Sequence, residues 1–94
     1  MKIRYYMDPQ TGLPHIHEHA VDEDEVREAM LRSVEDRLGK DGSRVTIGST
    51  SGGRYLKVIY VSDPEPDSVF VITAYELRGK PLTAFRRRLR RKLS

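Results

Sequence analysis

Three runs with the composition of β-strands follow one another between residues 44 and 75, and the segments between them are too short for anything but tight turns. Arg44 to Thr50 is the first, closed by Ser51-Gly52-Gly53. Arg54 to Val61 is the second, rich in Tyr, Leu, Val and Ile. Asp63-Pro64-Glu65-Pro66-Asp67 then stops the ladder, because two prolines remove its donors. Ser68 to Tyr75 is the third. Strands joined this closely pair antiparallel, since a parallel crossover needs a dozen or more residues. The unbroken Val69-Phe70-Val71-Ile72 predicts a central strand covered on both faces.

The flanks supply the rest of an α+β domain. Lys2 to Tyr6 is strand-like and ends in the turn chemistry of Asp8-Pro9-Gln10-Thr11-Gly12. Pro14 opens His15 to Ala20, a segment short enough to be either a helical turn or an extended piece. Asp22 and Glu25 have the spacing of a capping box, and Val21 and Val26 that of a hydrophobic staple. With Val26, Ala29, Met30 and Ser33/Val34 at helical spacing, they predict a helix over about Glu23 to Arg32. After the break at Arg78-Gly79-Lys80-Pro81, a second stripe of Leu82, Phe85, Leu89 and Leu93 predicts a terminal helix. The expected fold is one domain over residues 1–94: an antiparallel sheet of three to four strands, N-terminal helices and a basic C-terminal helix.

Charge is unevenly spread. Residues 1–36 carry nine acids against four bases, whereas the remainder carries thirteen bases against five acids, so the net +3 conceals two opposed regions. Arg78 to Lys92 holds eight bases and no acid. Such a face suits a polyanion, whether nucleic-acid backbone or an acidic protein, because guanidinium groups bind phosphate as bidentate forks. Its candidate contacts are Arg78, Lys80, Arg87, Arg88, Arg90, Arg91 and Lys92. The alternative is internal pairing with the acidic helix at Asp22 to Glu28. The chain has no cysteine, which excludes disulfides, thiolate catalysis and cysteine-bound metal. No apolar run is long enough for a membrane span or a secretory leader, so the expected location is cytoplasmic.

His15, His17 and His19 raise the question of a metal. In an extended segment all three share a face, and in a helical turn only His15 and His19 do. Further ligands have to be carboxylates such as Glu18 or Asp22. The reading taken is that there is no metal and no cofactor, with one histidine buried and hydrogen-bonded near the helix start. Gly48 to Gly53 is a hairpin turn and not a phosphate loop, since a strand follows it and the lysine is absent. Metal-free phosphodiester cleavage needs a base, an acid and cations for the developing charge. Arg54, Tyr75, Glu76, Arg78 and Arg86 are candidates for those roles. Against this stands a plain structural reading, with Tyr75 packed under the arginine helix and Glu76 paired with a cation.

The order of three segments resembles BrnT-like toxins: His19-Ala20-Val21 before the acidic helix start, Ile47-Gly48-x-Thr50-x-x-Gly53-Arg54-Tyr55-Leu56-x-Val58, and Val71-Ile72-Thr73-Ala74-Tyr75. The resemblance runs from about His15 to the C-terminal helix. It implies a RelE-like fold and a ribonuclease toxin of a type II toxin–antitoxin system that cuts RNA without metal, with RNA and a cognate antitoxin as partners. His19 matches the family histidine and Gly53-Arg54 the strand entry. Tyr75 stands where arginine is usual, Ala20 replaces glycine, and the family's later Glu-Arg pair has no clean counterpart. The resulting candidate catalytic set is His19, Arg54, Tyr75, Glu76 and Arg86. The alternative is a non-catalytic module that binds nucleic acid or an acidic protein through the arginine helix.

Overall fold

The computed structural model describes residues 1–93. Five strands form one mixed sheet: β1 (Lys2–Tyr5), β2 (Ser33–Leu38), β3 (Arg44–Ser49), β4 (Tyr55–Ser62) and β5 (Ser68–Glu76), in the order β1-β5-β4-β3-β2. A 3-10 helix (His15–His19) and α1 (Glu23–Leu31) precede β2, and α2 (Gly79–Leu93) follows β5. The fold class is α+β as expected, while the sheet is larger than expected and not wholly antiparallel. β2 to β5 form a four-stranded meander, and β1 lies parallel to β5, with Lys2 opposite Ser68 and Tyr5 opposite Val71.

Helix α1 ends at Leu31, within one residue of the expected Arg32, and Ser33/Val34, which the helical spacing includes in its stripe, begin β2 instead. The capping box at Asp22 and Glu25 forms with both hydrogen bonds, and Val21 and Val26 are both buried in one core cluster. The helix stops because residues 33–38, Ser-Val-Glu-Asp-Arg-Leu, carry no apolar stripe for it to bury. They form instead a mostly exposed edge strand whose charges discourage further pairing.

Two apolar clusters sandwich the sheet. On one side, Ile16, Val21, Val26 and Ala29 pack on Leu56, Val58, Tyr60, Val71 and Ala74. The alternation of β4 shows the pattern directly, with Leu56, Val58 and Tyr60 buried between less covered neighbours. On the other side α2 presses Phe85 and the partly buried Leu82 and Leu89 against Ile47, Leu77, Val34 and Tyr55. Leu93, expected in this stripe, is 78% exposed. Nor is β5 covered on both faces. It lies second from the edge, and Ile72, extruded by a bulge between the Ile59 and Tyr60 pairings, is exposed.

Candidate functional site

The 3-10 helix lies against the part of β5 that β1 leaves unpaired, since β1 reaches only to Val71. The chain gets there through a compact turn. Asp8 N–H donates to Leu13 C=O, Gln10 N–H to Asp8 Oδ1 at 2.8 Å, and His15 N–H to Tyr6 C=O. Ala20, in the left-handed conformation at φ 57°, ends the helix and turns the chain toward α1. Along this edge opens a shallow cleft of about 350 Å³ lined by Glu18, His19, Ala20, Tyr75, Glu76 and Arg78.

Four of the residues singled out in the sequence therefore meet: His19, Tyr75, Glu76 and Arg78. The His19 and Tyr75 rings are 5.9 Å apart, and the Lys57 ammonium lies 5.8 Å from the centre of the Tyr75 ring. Tyr75 does not pack under α2; Tyr55 does, with its ring 4.9 Å from that of Phe85. Arg54 lies behind the cleft and is fully engaged. It donates to Glu25 Oε2 at 2.6 Å, to Glu76 Oε1 at 3.0 Å and to the Ala20 carbonyl at 3.2 Å. Arg78 also donates to Glu76 Oε1, at 3.2 Å. Burial raises the Glu76 carboxyl, but the hydrogen bonds from Arg78 and Arg54 outweigh it and hold the group below its ordinary range. Glu76 is thus an ionised, doubly paired carboxylate, poorly suited to donating a proton at neutral pH. Arg86 stands on α2 outside the cleft lining, so the expected five-residue catalytic set is not assembled.

The basic helix divides into two faces. Arg88 forks onto Glu35 of β2 with bonds of 2.7 and 3.1 Å, holding that carboxyl below its usual range, and Lys92 donates to the Val34 carbonyl. These two cations dock α2 on the sheet. Arg88 thus finds its acid in Glu35 on β2, and not in the acidic stretch Asp22 to Glu28. Lys80, Arg86, Arg87 and Arg90 are exposed and, among the described residues, form no ion pair. At 1.5 Å per residue, Lys80 to Arg90 spans about 15 Å.

The histidines do not converge on one point. His17 Nε2 contacts Glu23 Oε1 at the start of α1, as a histidine near the helix start was expected to do, but none of the three is buried. His15 and His19 share a face, their rings 5.3 Å apart. His15 Nδ1 lies 3.6 Å from Asp8 Oδ2 and 3.8 Å from Glu18 Oε2. Asp8, 8% exposed, is the residue that sequence reasoning missed here. It looked like turn punctuation, and only the closed turn carries it to His15. Hydrogen bonding with Glu18 and the Gln10 N–H holds Asp8 below the ordinary carboxyl range, and Asp8 in turn pushes Glu18 up.

No known protein family, no curated protein and no solved structure matches this chain. No helix among the described residues is long and apolar enough to cross a membrane.

Proposed function

We propose that this domain binds nucleic acid, with RNA as its partner, by laying the outer face of α2 along the phosphate backbone. The observation that carries this reading is the division of α2. Arg88 and Lys92 are spent on docking the helix, whereas Lys80, Arg86, Arg87 and Arg90 face solvent and, among the described residues, meet no acid. Cations spread over about 15 Å of one helix suit a row of phosphates and specify no base sequence. The test is fluorescence anisotropy with a labelled single-stranded RNA across a salt series. The Arg86→Ala/Arg90→Ala variant should bind about ten-fold more weakly at 0.1 M salt, and its salt slope should be shallower by about 1.4, at roughly 0.7 per lost contact. Parent and variant binding alike, or a parent that ignores RNA at low salt but copurifies with an acidic protein, refutes the reading.

A second reading, the metal-independent toxin-like ribonuclease implied by the resemblance, is favoured by one observation: His19, Tyr75, Glu76 and Arg78 line a common cleft. In it His19 is the acid–base group and Arg78 the phosphate cation, while Arg54 positions Glu76. Induced expression decides between the two. Intact cellular RNA and unchanged growth at confirmed expression eliminate the toxin and leave the binding module.

A further inference from the structure

Asp8, His15 and Glu18 present one donor atom each, all within 4.8 Å of one another. Their setting differs from that of the carboxylates fixed by arginine. Glu25, Glu35, Asp36, Asp63 and Glu76 each meet an arginine. Among the described residues neither Asp8 nor Glu18 pairs with a lysine or arginine; they face each other and the His15 ring. Two carboxylates held together with one of them nine-tenths buried repel when ionised, unless a cation lies between them.

We propose that Asp8, His15 and Glu18 form a binding site for a divalent transition-metal ion of the zinc type. The donor set, one imidazole and two carboxylates, is one that such ions accept, with a fourth position left for water or a ligand. The spacing fits as well. A tetrahedral ion with bonds of about 2.1 Å holds its donors about 3.4 Å apart, close to the 3.6 and 3.8 Å from His15 Nδ1 to the two carboxylates. The outer contacts orient the ligands. Gln10 N–H fixes Asp8 Oδ1 and leaves Oδ2 toward the site, and Tyr6 and His19 hold the His15 ring edge-on from two sides. The imidazole argues against calcium or magnesium, which favour all-oxygen shells. Glu18 also lines the cleft, so the ion sits at its rim and its open position is available to a ligand held there. The inference is independent of the nucleic-acid reading of α2.

The test is calorimetric titration of the full chain, free of any affinity tag, with zinc chloride and separately with calcium chloride at pH 7.5. The parent should take up one equivalent of zinc, and calcium should bind far more weakly. His15→Ala and Glu18→Gln should each weaken zinc binding about ten-fold or more, with His17→Ala unchanged. Glu18 is exposed and belongs to neither apolar cluster, so Glu18→Gln keeps the readout interpretable if His15→Ala disturbs the turn. Absence of saturable zinc binding, equal affinity in Glu18→Gln and parent, or loss in His17→Ala instead overturns the site.

Discussion

The guanidinium of Arg54 meets the carboxylate of Glu25 at 2.6 Å, and that same carboxylate closes the capping box of α1 through its other oxygen, which accepts from Asp22 N–H. One glutamate thus couples the first turn of α1 to the hairpin between β3 and β4. Through Glu76 and the Ala20 carbonyl, the same arginine also grips the end of β5 and the end of the 3-10 helix. An arginine that looks catalytic in the sequence is a pin holding four segments in place.

Removing the pin should therefore cost stability. Arg54→Ala leaves Glu25 and Glu76 partly buried without their main cation. Charge-assisted hydrogen bonds of this kind contribute roughly 1.5–3 kcal/mol when dry, and the exposure of about a fifth to a quarter discounts them. The expected loss is about 2 kcal/mol in urea denaturation. Arg54→Lys should recover only part of it, because an ammonium does not reproduce a planar fork reaching three acceptors. An Arg54→Ala protein as stable as its parent would show that the pin is not structural.

How far the fold was legible follows from which residues carried local signals. The meander from 44 to 76, the capping box and the amphipathic α2 were visible because each repeats a period or a cap within a few residues. Strand β2 was not, because its Ser-Val-Glu-Asp-Arg-Leu sequence is an exposed edge with no alternation, stabilised by pairing with β3. The parallel partnership of β1 with β5 joins residues more than sixty apart and leaves no local mark. The site divides in the same way. The cleft gathers His19, Tyr75 and Glu76 of the expected catalytic set with Arg78, expected among the nucleic-acid contacts, but the partners that neutralise Arg54 and Arg88 and the return of Asp8 to His15 are tertiary facts.

Gly48 makes a sharper packing prediction than any apolar core residue. A β-carbon built there stands 1.8 Å from the Ala29 carbonyl oxygen and 2.6 Å from its carbon, both helix backbone that no rotamer change can move. β3 and α1 touch at this point because Gly48 has no side chain, so Gly48→Ala has to push the helix off the sheet. Overpacking of this kind costs about 1–3 kcal/mol, and backbone contact places Gly48→Ala at the upper end. Ala29→Gly should not relieve it, because the clash is with backbone. Thermal denaturation of Gly48→Ala beside Gly52→Ala, whose added carbon meets only Thr50 Oγ1 at 3.8 Å, checks the assignment. Equal midpoints for the two variants would refute it.

Asp63 sets an acid limit on the attachment of β1. Arg4 forks onto its carboxylate at 3.0 and 2.8 Å, and Ser68 Oγ donates to it at 2.6 Å. The Arg4 hydrogen bonds, then the Ser68 bond, lower the Asp63 pKa from 3.8 to about 2. A carboxyl with a depressed folded pKa binds its proton more readily when unfolded, so the stability it confers is complete above about pH 4 and is lost as the pH falls through 2. Between pH 4.5 and 2.5 the parent should lose more stability than Asp63→Asn, which has no proton to gain; the difference isolates Asp63 from the other titrating acids. Carboxyl NMR should place the Asp63 midpoint near 2 in the parent and return it toward 3.8 in Arg4→Ala. A midpoint unmoved by Arg4→Ala would assign the depression to Ser68 and remove the Arg4 fork as the link between β1 and the loop from β4 to β5.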